Sequence, residues 1–148
     1  MIKNYKFSSY NHRIELSKYL INKNIIKKDI LDVGCGPGII TAVISRNEKI
    51  RSIVCLDINK RIKKDFDKNI IKFVKRKKVK LIFSDLAKFR SKKKFDTIIA
   101  YGSFHEIKNL KLIEKLFKLL NKNGNLIISD NDLFYNLDDL KEASKNIK

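Results

Sequence analysis

Three of the chain's five glycines, and its single proline, fall within the five residues Gly34-Cys35-Gly36-Pro37-Gly38. A loop so poor in side chains can bend sharply and let another group approach its backbone. Its flanks show what it connects. Asp29-Ile30-Leu31-Asp32-Val33 enters it as a short apolar run, and Ile39-Ile40-Thr41-Ala42-Val43-Ile44 leaves it as a helix. Strand, glycine turn and helix in that order open a βαβ unit, and a helix N-terminus offers positive partial charge to a carboxylate or phosphate. An anionic or polar ligand group is therefore expected at the loop N–H groups. In the dinucleotide fingerprint G-x-G-x-x-G, the last position here is Ile39 rather than Gly or Ala, which disfavours a nicotinamide dinucleotide.

The same alternation continues along the chain. From Asn11 to about Asn22, Leu16, Tyr19 and Leu20 fall at i, i+3 and i+4, predicting a helix before the first strand. Ser52-Ile53-Val54-Cys55-Leu56-Asp57 reads as a parallel strand, apolar on both faces and closed by an acid. Ile62, Phe66, Ile70, Phe73 and Val74 form the stripe that a helix lays on a sheet. Val79 to Asp85 and Phe95 to Tyr101 supply two more strands. Leu112 to Leu120 supplies a helix stopped by Asn123-Gly124, and Asn125 to Ser129 a fifth strand. Strands alternating with helices at this spacing predict one α/β domain over residues 1–148, built as a doubly wound parallel sheet.

No apolar run is long enough to span a bilayer, and the N-terminus lacks the apolar core of a secretory signal, so a soluble cytoplasmic protein without a membrane partner is expected. Cys35 and Cys55 stand apart rather than in C-x-x-C pairs, which gives no metal signature and suits a reducing compartment. Both read as small packing residues rather than nucleophiles. The net charge of +18 has two readings. Clustered lysines attract phosphate backbones, but a chain crowded with Lys, Ile and Asn is also what A/T-rich codons produce.

The stretch Ile30-Leu31-Asp32-Val33-Gly34-Cys35-Gly36-Pro37-Gly38 resembles the first motif of the class I, Rossmann-like S-adenosylmethionine-dependent methyltransferases almost letter for letter. Later segments agree in order, so that the resemblance covers roughly Asn11 to Asp130. It implies a sheet in the order 3-2-1-4-5 with helices on both faces, and S-adenosylmethionine bound at Asp32, Gly34, Cys35, Gly36, Pro37 and Gly38. Asp57, nineteen residues beyond Gly38, matches the acid that accepts hydrogen bonds from both ribose hydroxyls. Asp85, in Ser84-Asp85-Leu86, matches the acid that receives the adenine amino group, with Ile58 against the adenine face or else in the core, and Tyr101 at the end of the fourth strand. Each acid has a structural reading as well: Asp32 as a tether of the loop, Asp57 and Asp85 as solvated strand ends. Arg13, after His12 on the first helix, is a candidate for the cofactor carboxylate, or else a surface cation.

Methyl transfer from a sulfonium is a direct displacement, which asks the protein to align donor and acceptor and exclude water. Where a base is needed, Gly102-Ser103-Phe104-His105-Glu106-Ile107 is the place for it. This segment resembles the loop of small-molecule methyltransferases of the type 11, ubiquinone- and menaquinone-biosynthesis group. It implies His105 as the proton acceptor and Glu106 as its orienting partner or substitute, the alternative being a polar loop lining. The Asn/Asp-Pro-Pro-aromatic tetrapeptide of planar-amine methyltransferases is absent from Tyr101-Gly102-Ser103-Phe104. The basic runs, among them Lys27-Lys28, Lys75-Arg76-Lys77-Lys78 and Lys92-Lys93-Lys94, all precede strands and so gather at the sheet's amino edge, away from the glycine loop. At the opposite edge only scattered cations stand, Lys60, Lys88, Arg90 and Lys108. A small-molecule acceptor is favoured over transfer or ribosomal RNA. After the fifth strand only one helix candidate, Leu137 to Ile147, remains, so the family's antiparallel strand pair is not expected. The fifth strand would then be covered by that helix, a second copy or a partner chain, and a non-catalytic S-adenosylmethionine-binding module stays open.

Overall fold

The structure, a computed structural model, describes residues 10–73, 78–103 and 109–130. The elements are α1 (Tyr10–Asn22), β1 (Asp29–Val33), α2 (Ile39–Ile44), β2 (Ser52–Asp57), a 3-10 turn (Lys60–Ile62) running into α3 (Lys63–Phe73), β3 (Val79–Phe83), β4 (Phe95–Tyr101), α4 (Leu110–Leu119) and β5 (Leu120–Ser129). The five strands are all parallel, in the order β3-β2-β1-β4-β5. The expected sheet is therefore the observed one. The candidate C-terminal helix lies outside the described residues.

The period-two alternation of strand side chains sorts the core into two clusters. Ile30, Ile53, Cys55 and Ile99 face one side, where Leu20 of α1, Ile40 and Ile44 of α2, and Phe66 and Ile70 of α3 cover them. Leu31, Val33, Leu56, Ile98 and Ala100 face the other, under Ile113, Leu116 and Leu119 of α4. β1 is buried along its whole length, as a strand flanked by two others and covered on both faces must be. The crossover from β3 to β4, residues 84–94, contains no helix. Leu86 and Phe89, each 6% exposed, cover that part of the second face instead.

Two boundaries differ from expectation, for one reason each. Ser84 and Asp85 lie beyond the end of β3 because the Asp85 carbonyl already accepts from the N–H groups of Lys88 and Phe89, which turns the chain. The helix predicted through Leu120 stops at Leu119, because Leu120 pairs with the fully buried Phe95 and takes an extended backbone. The Asn-Gly pair then serves inside the strand. Five steps of β5, Leu120 to Asn125, face two of β4, Phe95 to Thr97, and Asn123 takes a left-handed φ of +66° in the resulting bulge. A Cβ on Gly124 would stand 3.0 Å from the Asn121 carbonyl and 3.2 Å from that of Phe95, so the bulge requires glycine there.

At the amino edge of the sheet Asp29, 1% exposed, accepts from Arg51, from Ser52 Oγ (2.6 Å) and from Lys93 Nζ (2.7 Å). The Arg51 guanidinium above all, then Lys93 and Ser52, outweigh burial and hold this carboxyl well below the usual carboxylate range. Two cations of the amino edge thus tie β1, β2 and the approach to β4 together.

A candidate cofactor cleft at the carboxyl edge

β1 lies between β2 and β4, so successive connections leave it toward opposite sides of the sheet. A cleft outside the carboxyl ends of the strands is expected at such a switch. One is present, about 480 Å³ in volume, with Gly34, Asp57, Ile58, Ser84, Asp85 and Ser103 among its lining. Parallel register brings these residues together. Val33 pairs with Leu56 and Asp57 with Phe83, so Gly34 sits level with Asp57, and Ser84-Asp85 follow directly beside it.

The three glycines of the loop all have positive φ, at +67°, +52° and +73°, but they serve different neighbours. A Cβ on Gly34 would lie 2.4 Å from Ser103 Cβ, and one on Gly38 would lie 2.7 Å from the Phe66 ring. These two glycines let the loop pack against the end of β4 and against α3. Gly36 is the open one, with only Arg13 Nη1 near among the described residues, at 3.8 Å from such a Cβ.

The loop N–H groups, expected to face a ligand, are used internally. Gly34 and Cys35 donate to the Leu56 carbonyl (2.7 and 3.2 Å), Gly38 to the Cys35 carbonyl (3.1 Å) and Gly36 to Asp57 Oδ2 (2.8 Å). Pro37 has no N–H, and its carbonyl accepts from Asn69 Nδ2 at 2.8 Å. An anion at this loop must therefore be held by something else. Among the described residues the cation beside Gly36 is Arg13 of α1, whose guanidinium lies over the Tyr101 ring, 5.1 Å from its centroid. Tyr101 Oη in turn shares a hydrogen bond of 2.6 Å with His12 Nδ1. Burial pushes the Tyr101 phenol up, with Arg13 opposing.

Asp57 links the loop to the turn after β2, its Oδ1 accepting from Asn59 N–H at 2.8 Å while Oδ2 holds Gly36. Each carboxylate oxygen keeps a second lone pair for a hydroxyl. Asp85 Oδ1 accepts from Ala87 N–H at 2.7 Å, which fixes its carboxylate at the cleft wall. Ile58 is 74% exposed, an apolar side chain held in water beside the cleft, whereas Leu86 is buried at its floor.

Asp32 lies beneath the loop, 2% exposed, and accepts from Thr41 Oγ1 at 2.7 Å. This is the tethering geometry, strand end to helix. Burial raises its pKa from 3.8 to about 6, against the hydrogen bond from Thr41 and the charge of Arg13. The folded chain thus binds this proton more tightly than the unfolded one, and stability falls as pH rises from 3.8 to about 6 and stays lowered above. Asp32→Asn, which keeps an acceptor for Thr41, is expected to gain roughly 2 kcal/mol at pH 7 and nothing at pH 3.5. Urea midpoints of the two proteins at both pH values check it. An equal shift at the two pH values would refute it.

Cys35 and Cys55 are both buried and free. The neighbouring Cys55 thiol, burial and the nearby carboxylates hold the Cys35 thiol far above its ordinary range, as befits a packing residue. Phe104, His105 and Glu106 lie outside the described residues. Five further residues line the cleft beyond those expected from sequence: Val33 and Leu56 at strand ends, Asn59 after β2, Ser103, whose Oγ donates to the Val33 carbonyl at 2.8 Å, and Leu112 of α4.

A family model described as "Methyltransferase small domain" matches residues 15–147. Malonyl-[acyl-carrier protein] O-methyltransferase 2 of Ilyobacter polytropus is 30% identical over 123 residues, which are 80% of this chain and 45% of that protein. The malonyl-[acyl-carrier protein] O-methyltransferase of Priestia megaterium is 28% identical over 120 residues, 78% of this chain and 40% of that protein. The chain thus spans less than half the length of these curated relatives. Among solved structures, the N-methyltransferase NodS of Bradyrhizobium japonicum superposes with a TM-score of 0.69 at 14% identity, over 97% of this chain and 84% of that one. An S-adenosylmethionine-dependent methyltransferase from Clostridium acetobutylicum gives 0.61 at 20% identity, over 81% and 50%. At such identities the structural likeness concerns the fold, whereas the family model runs from within α1 to beyond β5, and on that span the chain belongs to the methyltransferase small domain family.

Proposed function

We propose that the chain is an S-adenosylmethionine-dependent methyltransferase of the cytoplasm that acts on a small-molecule acceptor. The observation that carries this reading is the meeting of Gly34, Asp57 and Ser84-Asp85 on one cleft. Three elements far apart in sequence supply, side by side, a bare backbone, a carboxylate for a diol and a second carboxylate for an exocyclic amine. The cleft's volume of about 480 Å³ suits a nucleoside-sized ligand. Two features support the cofactor further. Ile58 and Leu112 offer apolar contacts for a purine from two sides, and Arg13 stands beside Gly36 where an amino-acid carboxylate would need a cation.

In this reading Asp57 accepts from the two ribose hydroxyls while it keeps the glycine loop in place. Asp85 accepts from the adenine amino group, with Ser84 and Leu86 beside it, and Arg13 holds the methionine carboxylate in place of the occupied loop N–H groups. Tyr101 keeps Arg13 and His12 in position above the end of β4. S-adenosylmethionine supplies an electrophilic methyl group, so the chain's remaining task is to align the acceptor and exclude water. Where the acceptor must lose a proton, His105 takes it and Glu106 orients the imidazole. The names of the two curated relatives, both O-methyltransferases of malonyl-[acyl-carrier protein], support an organic acceptor over RNA.

Calorimetric titration of the whole chain with S-adenosylmethionine, S-adenosylhomocysteine and NAD tests the proposal. Saturable heat with the first two and none with NAD is the expected result. Binding of NAD alone would overturn it.

A further inference from the structure

A second groove adjoins the cofactor cleft, about 450 Å³ in volume, and Leu112 lines both. Four cations line it beside Ala87, Asn109 and Leu112: Arg90 comes from the β3–β4 crossover, and Lys111, Lys115 and Lys118 from α4. The spacing of i, i+4 and i+7 puts the three lysines on one face of that helix. The two elements converge. Arg90 Nη1 and Lys115 Nζ both donate to the Ala87 carbonyl, each at 2.7 Å, so two positive charges share one neutral oxygen. Among the described residues none of the four cations has a carboxylate within 4.0 Å. The nearby acids are Asp85, whose charge reaches Lys115, and Glu114 on α4. Burial, then repulsion from Arg90, lowers the pKa of Lys115.

This crowding is unlike the amino edge, where Arg51 and Lys93 are neutralised by Asp29. On the methyltransferase reading, on which this inference rests, the groove is the natural place for a part of the acceptor that does not react. We propose that it holds a phosphate or diphosphate group of the acceptor, placed beside the cofactor cleft. Several donors from two elements suit a tetrahedral anion with many acceptor oxygens, whereas a carboxylate is satisfied by a single guanidinium fork. Among the described residues no aromatic side chain lines the groove, so they offer no platform for stacked bases, and a single-stranded nucleic acid is the weaker fit.

The test titrates the chain, saturated with S-adenosylhomocysteine in phosphate-free buffer, with inorganic pyrophosphate, with orthophosphate and with an oligothymidylate. Saturable pyrophosphate binding is expected, weakened at least about tenfold by R90Q/K115Q and about threefold or more by K111Q/K118Q, whose lysines are more exposed and whose loss spares the Ala87 contacts. The variants K27Q and K49Q at the amino edge should leave it unchanged. Orthophosphate binding as tight as pyrophosphate binding assigns a monoester, and weaker binding a diphosphate. The inference is overturned by non-saturable pyrophosphate heats, by binding that survives both double variants, or by an oligothymidylate that binds about a hundredfold tighter than pyrophosphate. Pyrophosphate binding without S-adenosylhomocysteine binding would sink the methyltransferase reading, and the reverse would sink only this one.

Discussion

Asp57→Ala is expected to weaken S-adenosylhomocysteine binding by at least about 100-fold, measured by calorimetry, while the chain stays folded. Two hydrogen bonds from ribose hydroxyls to a carboxylate are worth about 1.5–3 kcal/mol each, and ~2.7 kcal/mol already corresponds to 100-fold. The same substitution releases Gly36 N–H from Asp57 Oδ2 and Asn59 N–H from Oδ1, so the loop and the turn after β2 lose their common brace. Asp57→Asn separates the two roles. It keeps an acceptor for one N–H but loses the charge, so its deficit should fall between wild type and alanine. An alanine variant with unchanged affinity would remove Asp57 from the site and with it the central support for the cofactor.

Gly34→Ala should cost roughly 3–4 kcal/mol of folding free energy, far more than Gly102→Ala at about 1 kcal/mol. Both glycines have left-handed backbones, with φ of +67° and +61°, so both substitutions carry the same conformational strain. They differ in what the new methyl group meets. At Gly102 none of the described residues lies within 4 Å of such a Cβ, whereas at Gly34 the Cβ falls 2.4 Å from Ser103 Cβ and 2.7 Å from its Oγ. Ser103 cannot yield freely, because its Oγ donates to the Val33 carbonyl and its backbone continues from β4. Denaturant midpoints of the two variants isolate the steric part. Equal losses would mean that Gly34 is required for its φ alone.

Some of this could be read from the chain before any folding. The strands were legible because their apolar runs are short and bounded, and in a sheet covered on both faces each run must be buried throughout, as β1 is. The edges were less legible. A leucine stripe marks a helix well, but it cannot say that Leu120 already belongs to Phe95. Asn-Gly signals a left-handed turn whether it ends a helix or sits in a bulge.

The site divides in the same way. The glycine loop is legible from residue type, since a sharp turn demands glycine, whereas Asp57 and Asp85 are singled out by the family resemblance, and parallel register then brings the ends of their strands to one edge. Only the tertiary structure could decide how the loop N–H groups are used, because their partners, Leu56 and Asp57, come from the neighbouring strand. With those donors taken, Arg13, which the sequence leaves as either a carboxylate partner or a surface cation, stands as the cation beside Gly36. The cations of α4 follow the same rule. A lysine every turn is an ordinary solvated face by itself, and it becomes one wall of a cationic groove when the packing of a helix-free crossover sets Arg90 against it. Charge pattern is local and linear, whereas electric field depends on which elements meet, and that is fixed by burial of the core.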